Sequence, residues 1–153
     1  MQVWRVVLRR HARTAFDGEG ARLYGGRCNR PGTAVIYTSA TLSLAVMEHF
    51  VNADRDDLPE PLVSIAADIP GSVSIEELHP STLPKTWPRA PAPAALQALG
   101  SEWVRKGTSA VLAVPSAVVP EERNYLLNPA HPHFPLIAVG KPIRFHLDPR
   151  MWK

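Results

Sequence analysis

A chain of 153 residues with 45% apolar and 20% charged side chains fits one ordinary globular domain and is too apolar to stay disordered. A single cysteine, Cys28, excludes both a disulfide framework and a thiolate metal cluster. No apolar run approaches a membrane span and the start MQVWRVVLRRHAR lacks a signal-peptide core, so a cytoplasmic protein with no membrane partner is expected.

The net charge of +3 is unevenly placed, with +5 in the first thirty residues and −2 in the remainder. Arginines gathered in this way attract phosphates, which keeps nucleotides, nucleic acids and acidic proteins open as partners beside a merely solvated basic edge. Sixteen prolines argue against a helical bundle and for mixed structure with long loops.

Val3–Leu8, rich in β formers, predicts a first strand, and Arg9–Gly20 reads as a loop. In the stretch from Tyr24 to Phe50, Gly25 and Gly26 permit positive φ or close backbone approach, and Arg27 follows at once. A guanidinium on such a loop suits bidentate capture of phosphate or carboxylate. Pro31-Gly32 reads as a turn and Ala34–Tyr37 as a buried strand. Ser39 or Thr41 can cap the helix that follows. Its apolar residues surround nearly the whole circumference, which predicts a buried helix and leaves Glu48 in need of a cation or several hydrogen bonds. Arg27 is the nearest candidate cation, whether the pair is functional or merely structural.

Asn52–Pro61 is an acidic, proline-bounded connection, and Leu62–Ile69 alternates as a strand with one wetter face. Five prolines within Pro80–Pro93 predict an extended surface segment anchored by Leu83 and Trp87. Ala94–Lys106 has helical spacing with Gly107 as its C-cap, and Trp103 is assigned to the core. Ala110–Val114 is a buried strand that delivers Ser116 to its end. No G-x-S-x-G elbow surrounds Ser116, so it reads as a hydrogen-bond donor rather than a nucleophile. His131 and His133 lack a third ligand in view, so no metal site is assigned. Ile143–Leu147 predicts a last strand.

Taken together, YGGRCNRPGTAVIYTS, LSLAVMEHF and AVLAVPSAVVPEERNYLLNPAHPHF resemble, in order and spacing, the RES-domain family of bacterial toxins. The resemblance covers residues 1–153 as a single domain. It implies an α+β fold with a mixed, largely antiparallel sheet, similar to ADP-ribosyltransferase toxins. It also implies a toxin of a type II toxin–antitoxin pair that depletes NAD⁺ by cleaving the nicotinamide–ribose bond, as a glycohydrolase or a phosphorylase. NAD⁺ is then the substrate, with water or inorganic phosphate as acceptor and no cofactor. A cognate Xre-like antitoxin blocks the site in a hetero-oligomer, and nucleic acid is met only through that antitoxin. By position, the family's arginine, glutamate and serine fall on Arg27, Glu48 and Ser116. Tyr37 matches a site tyrosine, and Tyr24, Asn124 and Asn128 lie inside the matching motifs as substrate-binding candidates. Cys28 departs from the family, which often has tryptophan there.

The chemistry of the residues agrees with that expectation. A carboxylate beside C1 of a ribose stabilises the oxocarbenium character that develops as the glycosidic bond breaks. Glu48 takes that role, Arg27 clamps phosphate and keeps Glu48 ionised, Tyr37 and Tyr24 meet the nicotinamide ring, and Ser116 orients the substrate. Two alternatives stay open: ADP-ribosyl transfer to a macromolecule, and a non-enzymatic basic nucleic-acid-binding module, against which a glutamate on a buried helix argues.

Overall fold

The computed structural model describes residues 1–54, 56 and 60–152. Residues 55 and 57–59 of the acidic connection lie outside the described residues. Eight strands among the described residues form one sheet. They are β1 (Gln2–Leu8), β2 (Ile36–Ser39), β3 (Leu62–Asp68), β4 (Ile75–Glu77), β5 (Val111–Pro115), β6 (Arg123–Leu127), β7 (Ala138–Val139) and β8 (Ile143–Phe145). Their order is β4-β5-β6-β2-β1-β3-β7, with β8 beside β7 on the same edge of β3. Only β4 and β5 pair in parallel, so the fold is the α+β type with a mixed, largely antiparallel sheet that the sequence implies. Three α-helices among the described residues accompany it: α1 (Glu19–Tyr24), α2 (Leu42–Asn52) and α3 (Ala94–Lys106).

Register decides what each face carries, because side chains alternate across a strand. Trp4 lies opposite Ser39, Ser39 opposite Asn124, and Asn124 opposite Val114. These residues share one face, which α2 and α3 cover. Val6, Leu8, Leu62 and Ala45 form the core under α2, with Trp4, Leu42 and Val46 packed against it. Leu96, Trp103, Leu112, Val114 and Leu126 form the core under α3, together with Cys28 and Val35. The opposite face buries Val3, Ile36, Ala67, Val111 and Leu127 beneath Phe16, Phe134 and Ile137.

Several expectations need correction. Arg9–Gly20 is not loop throughout: Arg9–Thr14 is a 3₁₀ turn, and α1 begins at Glu19 after Gly18 takes φ 75°. The helix α2 is not buried all round. Leu44 and Ala45 are its buried residues, while Met47 and Val51 are 39% and 58% exposed. One helix laid on one sheet face can bury a single stripe, however apolar its far side. The wetter face expected of β3 is also absent for most of its length, since Leu62 and Ser64 are as buried as Val63 and Ile65. The helix α2 covers that face. The strands β4, β6 and β7 carry no clear alternation and were not expected.

Other expectations hold. Thr41 caps α2 by accepting a bond from the Leu44 amide at 3.1 Å. The helix α3 spans Ala94–Lys106 and stops where Gly107 takes φ 60°. Trp103 is 5% exposed and donates its indole N–H to Ser109 Oγ at 2.8 Å. Leu83 and Trp87 anchor the proline-rich segment against the core under α3. No helix among the described residues is long and apolar enough to cross a membrane.

Candidate active site

The face that carries Ser39 on β2 and Asn124 on β6 continues to Ser116, two residues past Val114. Three polar side chains therefore stand in a row on this face. The helix α2 lies over them. Glu48 sits four residues after Leu44 and three after Ala45, on the stripe that faces the sheet. Its Oε1 accepts two hydrogen bonds, from Ser116 Oγ at 2.7 Å and from Asn124 Nδ2 at 2.6 Å. Its Oε2 has no hydrogen-bond partner among the described residues, although Glu48 is only partly buried. One oxygen is fixed and the other is left open.

The junction between β2 and α2 is stitched to β6. The Ala40 amide donates to the Arg123 carbonyl at 3.0 Å, and Thr41 Oγ1 donates to Glu122 Oε2 at 3.1 Å. The start of α2 and the start of β6 thus move together, which fixes Glu48 relative to Asn124.

Ser116 is fully buried and uses its whole hydrogen-bonding capacity inside the protein. Its hydroxyl donates to Glu48 and accepts from the Val118 and Val119 amides, each at 3.0 Å. The expected contact from Ser116 to a substrate is therefore not available. Its geometry holds the carboxylate instead.

Arg27 is placed differently from expectation as well. It lies in a tight loop closed by a bridge between Gly26 and Asn29, and its Nη1 donates to the carbonyls of Trp87 at 3.1 Å and Arg89 at 2.8 Å. It makes no ion pair with Glu48, so the Arg27–Glu48 pair read from the sequence is not formed. Nε and Nη2 of Arg27 have no partner among the described residues. Beneath the loop, Asn29 is fully buried, donates to the carbonyls of Ala21, Arg30 and Thr33, and accepts from the Tyr37 hydroxyl at 2.6 Å. That hydroxyl also accepts from the Cys28 amide at 3.0 Å. Burial raises the Tyr37 phenol above its ordinary range and pushes the Cys28 thiol up to about 12, with Arg27 opposing both. The polar end of Tyr37 thus anchors the Arg27 loop rather than facing outward. A Cβ on Gly26 would stand 2.6 Å from that hydroxyl, which explains the second glycine.

Tyr24 is 84% exposed at the end of α1. Asn128 is buried and caps a turn by accepting from the Ala130 amide at 3.0 Å. It lies four residues on from Asn124, one past the end of β6 and about 13 Å away at strand rise, so the two asparagines do not share a site. Among the described residues no three His, Cys, Asp or Glu side chains gather in a metal-holding group.

Two polar residues were not singled out for chemistry in the sequence. Ser39 appeared only as a candidate cap, yet its Oγ donates to Asn124 Oδ1 at 2.8 Å. Arg5 appeared only as part of a strand and as one of the seven basic residues before Pro31. It is partly buried, its Nη1 donates to the Tyr37 carbonyl at 2.6 Å, and its buried Nε has no partner among the described residues. Burial holds its guanidinium below the ordinary value, with Asp17 and Tyr37 opposing. An arginine in the middle of a strand, flanked by apolar residues, was the signal available for it.

The RES domain family matches residues 2–148, which is nearly the whole chain. The chain belongs to the RES domain family. This RES domain is 37% identical over 152 residues to Toxin Res of Yersinia enterocolitica, covering 99% of each chain. It is 36% identical over 152 residues to the Prs ADP-ribosylating toxin of a Sphingobium species, covering 97% of this chain and 94% of that one. In three dimensions the RES domain is similar to a chain in the crystal structure of the M. tuberculosis MbcT–MbcA toxin–antitoxin complex. The TM-score is 0.74 with 17% identity, over 95% of this chain and 84% of that chain, a likeness of fold.

Proposed function

We propose that this RES domain is the toxin of a toxin–antitoxin pair and cleaves the nicotinamide–ribose bond of NAD⁺. The observation that carries the reading is the Glu48 carboxylate, with Oε1 fixed by Ser116 and Asn124 and Oε2 left open. A carboxylate held in this way stabilises positive charge as it develops at ribose C1 without having to reorganise. The C1–N bond breaks with its electron pair passing to the nicotinamide ring nitrogen, which neutralises the pyridinium. The leaving group therefore needs no proton. Water at C1 then gives ADP-ribose and a proton, and inorganic phosphate gives an ADP-ribose phosphate ester. The names of the relatives support the toxin reading, and the likeness to a chain of the mycobacterial toxin–antitoxin complex supports an antitoxin partner. For this chain we take that partner to be Xre-like and to cover the Glu48 site.

Pyrophosphate requires a cation. Arg27 offers Nε and Nη2, while its Nη1 clasps the proline-rich segment. Arg27→Ala is expected to weaken ADP-ribose binding in calorimetry by about tenfold, as loss of a charge-assisted contact would. Equal affinity would move the clamp to Arg5.

The deciding experiment is nicotinamide release from NAD⁺ by antitoxin-free protein, with and without inorganic phosphate. Release in both identifies a glycohydrolase, and release only with phosphate a phosphorylase. Folded protein that releases none in either sinks the proposal. A second reading, ADP-ribosyl transfer to a macromolecule, is favoured by the name of the Sphingobium relative. It breaks the same bond with the same carboxylate and differs only in acceptor. Label from the adenylate half of NAD⁺ would then appear on protein or nucleic acid.

A further inference from the structure

The hydrogen bonds that hold Glu48 do not end at Asn124. Asn124 Nδ2 donates to Glu48 Oε1 at 2.6 Å, and Ser39 Oγ donates to Asn124 Oδ1 at 2.8 Å. The direction of this chain follows from the charge at its end. An ionised carboxylate only accepts, so Asn124 must present its NH₂ to Glu48. Its carbonyl oxygen then faces Ser39, and Ser39 must donate. Ser39 is 4% exposed and sits opposite Asn124 in the β2–β6 ladder, so substrate cannot reach it.

An amide side chain can turn over, exchanging two groups of nearly equal size and opposite polarity. A turned Asn124 would aim a carbonyl oxygen at Glu48 and unseat the carboxylate. Ser39 ties the far end of the amide: a turn would break the Ser39–Oδ1 bond as well as the Glu48 contact and force Ser39 to rotate its hydroxyl and accept instead. Thr38, the next residue back on the same strand, provides the contrast. Its hydroxyl donates to the Tyr125 carbonyl at 2.6 Å on the opposite sheet face and has no path to Glu48.

We infer that Ser39 is a positioning residue that fixes the Asn124 amide, so that Glu48 keeps Oε1 engaged and Oε2 open to substrate. The inference rests on the reading of Glu48 as the carboxylate that meets the ribose.

The test measures kcat and KM for nicotinamide release from NAD⁺ by wild type, Ser39→Ala, Ser39→Thr and Thr38→Val, and again in an Asn124→Ala background. Ser39→Ala is expected to lower kcat about tenfold with KM unchanged, the scale of one hydrogen bond in a charged network. Ser39→Thr, which keeps the donor, should recover most of that loss, and Thr38→Val should leave kcat near wild type. In the Asn124→Ala background, Ser39→Ala should cost nothing further, since the residue it positions is gone. Wild-type kcat in Ser39→Ala, or the full tenfold loss repeated in the Asn124→Ala background, would overturn the inference. Should Ser39→Ala fail to fold, Ser39→Cys, with a weak donor of similar size, takes its place with the same expectation in direction. Wild type that releases no nicotinamide overturns the function reading alone. The positioning inference is then decided by the Asn124 side-chain amide signals in a ¹H–¹⁵N spectrum. They should move and exchange faster with solvent in Ser39→Ala, and unchanged signals would overturn it.

Discussion

The Glu48 cluster and the Arg27 loop come from one short stretch of sequence, and both look like chemistry when read along the chain. Folded, they differ in kind. Glu48 is held by side chains from a helix-facing row, Ser116 and Asn124, and one of its oxygens stays open. Arg27 is held through backbone carbonyls, and the groups beneath it, Asn29, Cys28 and Tyr37, satisfy one another inside the core. Side-chain donors aimed at a single carboxylate oxygen are arranged for its charge. Carbonyls gathered by a guanidinium staple two loops together. Polar residues close in sequence thus divide into a carboxylate held by side chains with one oxygen open and a guanidinium held by backbone carbonyls with two nitrogens open.

The sharpest way to break this comparison is at Glu48. Glu48→Gln preserves shape and leaves an oxygen to accept from Ser116 and Asn124, so the fold should survive. Nicotinamide release should fall by roughly a thousandfold, the scale of losing a fixed electrostatic partner at a reacting centre. Normal turnover with an unchanged thermal midpoint would remove Glu48 from the chemistry.

The support role is tested next at Gly100. An added Cβ there would stand 1.7 Å from the Cys28 carbonyl oxygen, because α3 lies directly on the Arg27 loop. Gly100→Ala should cost about 1–3 kcal/mol or more in urea unfolding, as overpacking does. Wild-type stability would show that the loop yields freely, which an anchoring site does not.

Cys28 sharpens the same point through pH. Burial is the main cause of its rise from 9.0 to about 12, reinforced by Glu48 and opposed by Arg27. The folded thiol thus keeps its proton where the unfolded one loses it. Stability from this group is fully present below pH 9 and falls as pH rises from there toward 12. Cys28→Ser unfolding, followed from pH 8 to 11, should show a shallower decline than wild type. Parallel curves would deny the buried environment.

The smallest effect is expected at Thr41, whose loss touches how α2 begins rather than what it carries. Thr41→Ala should cost about 1 kcal/mol of stability, the usual value of an N-cap. A thermal melt beside the kinetic assay checks it, and KM should stay at the wild-type value.

Local signals carried much of this molecule. Strand β1, helix α3 with its Gly107 stop, the Pro31-Gly32 turn and the Thr41 cap all rest on patterns within a few residues, so they were legible. The motif resemblance led to Glu48 and Ser116 for the same reason, since each lies in a continuous string of letters. The short strands β4, β6 and β7 were not legible. Their stability comes from the ladders they join rather than from their own alternation. The partner of Glu48 was misread because charge suggested a cation, whereas two neutral donors stand there, Ser116 just past β5 and Asn124 on β6.

By itself, then, the sequence determined an α+β fold, the bounds of α3, and the motif strings in which Glu48 and Ser116 lie. Propensity, periodicity and turn chemistry act over a handful of neighbours. Only tertiary structure decided that Ser116 faces Glu48, that Asn124 and Asn128 belong to different ends of a strand, and that Arg27 clasps carbonyls. Those outcomes depend on strand register. A shift of one residue would turn Ser39 and Asn124 to the opposite face, and nothing within either strand alone specifies the pairing.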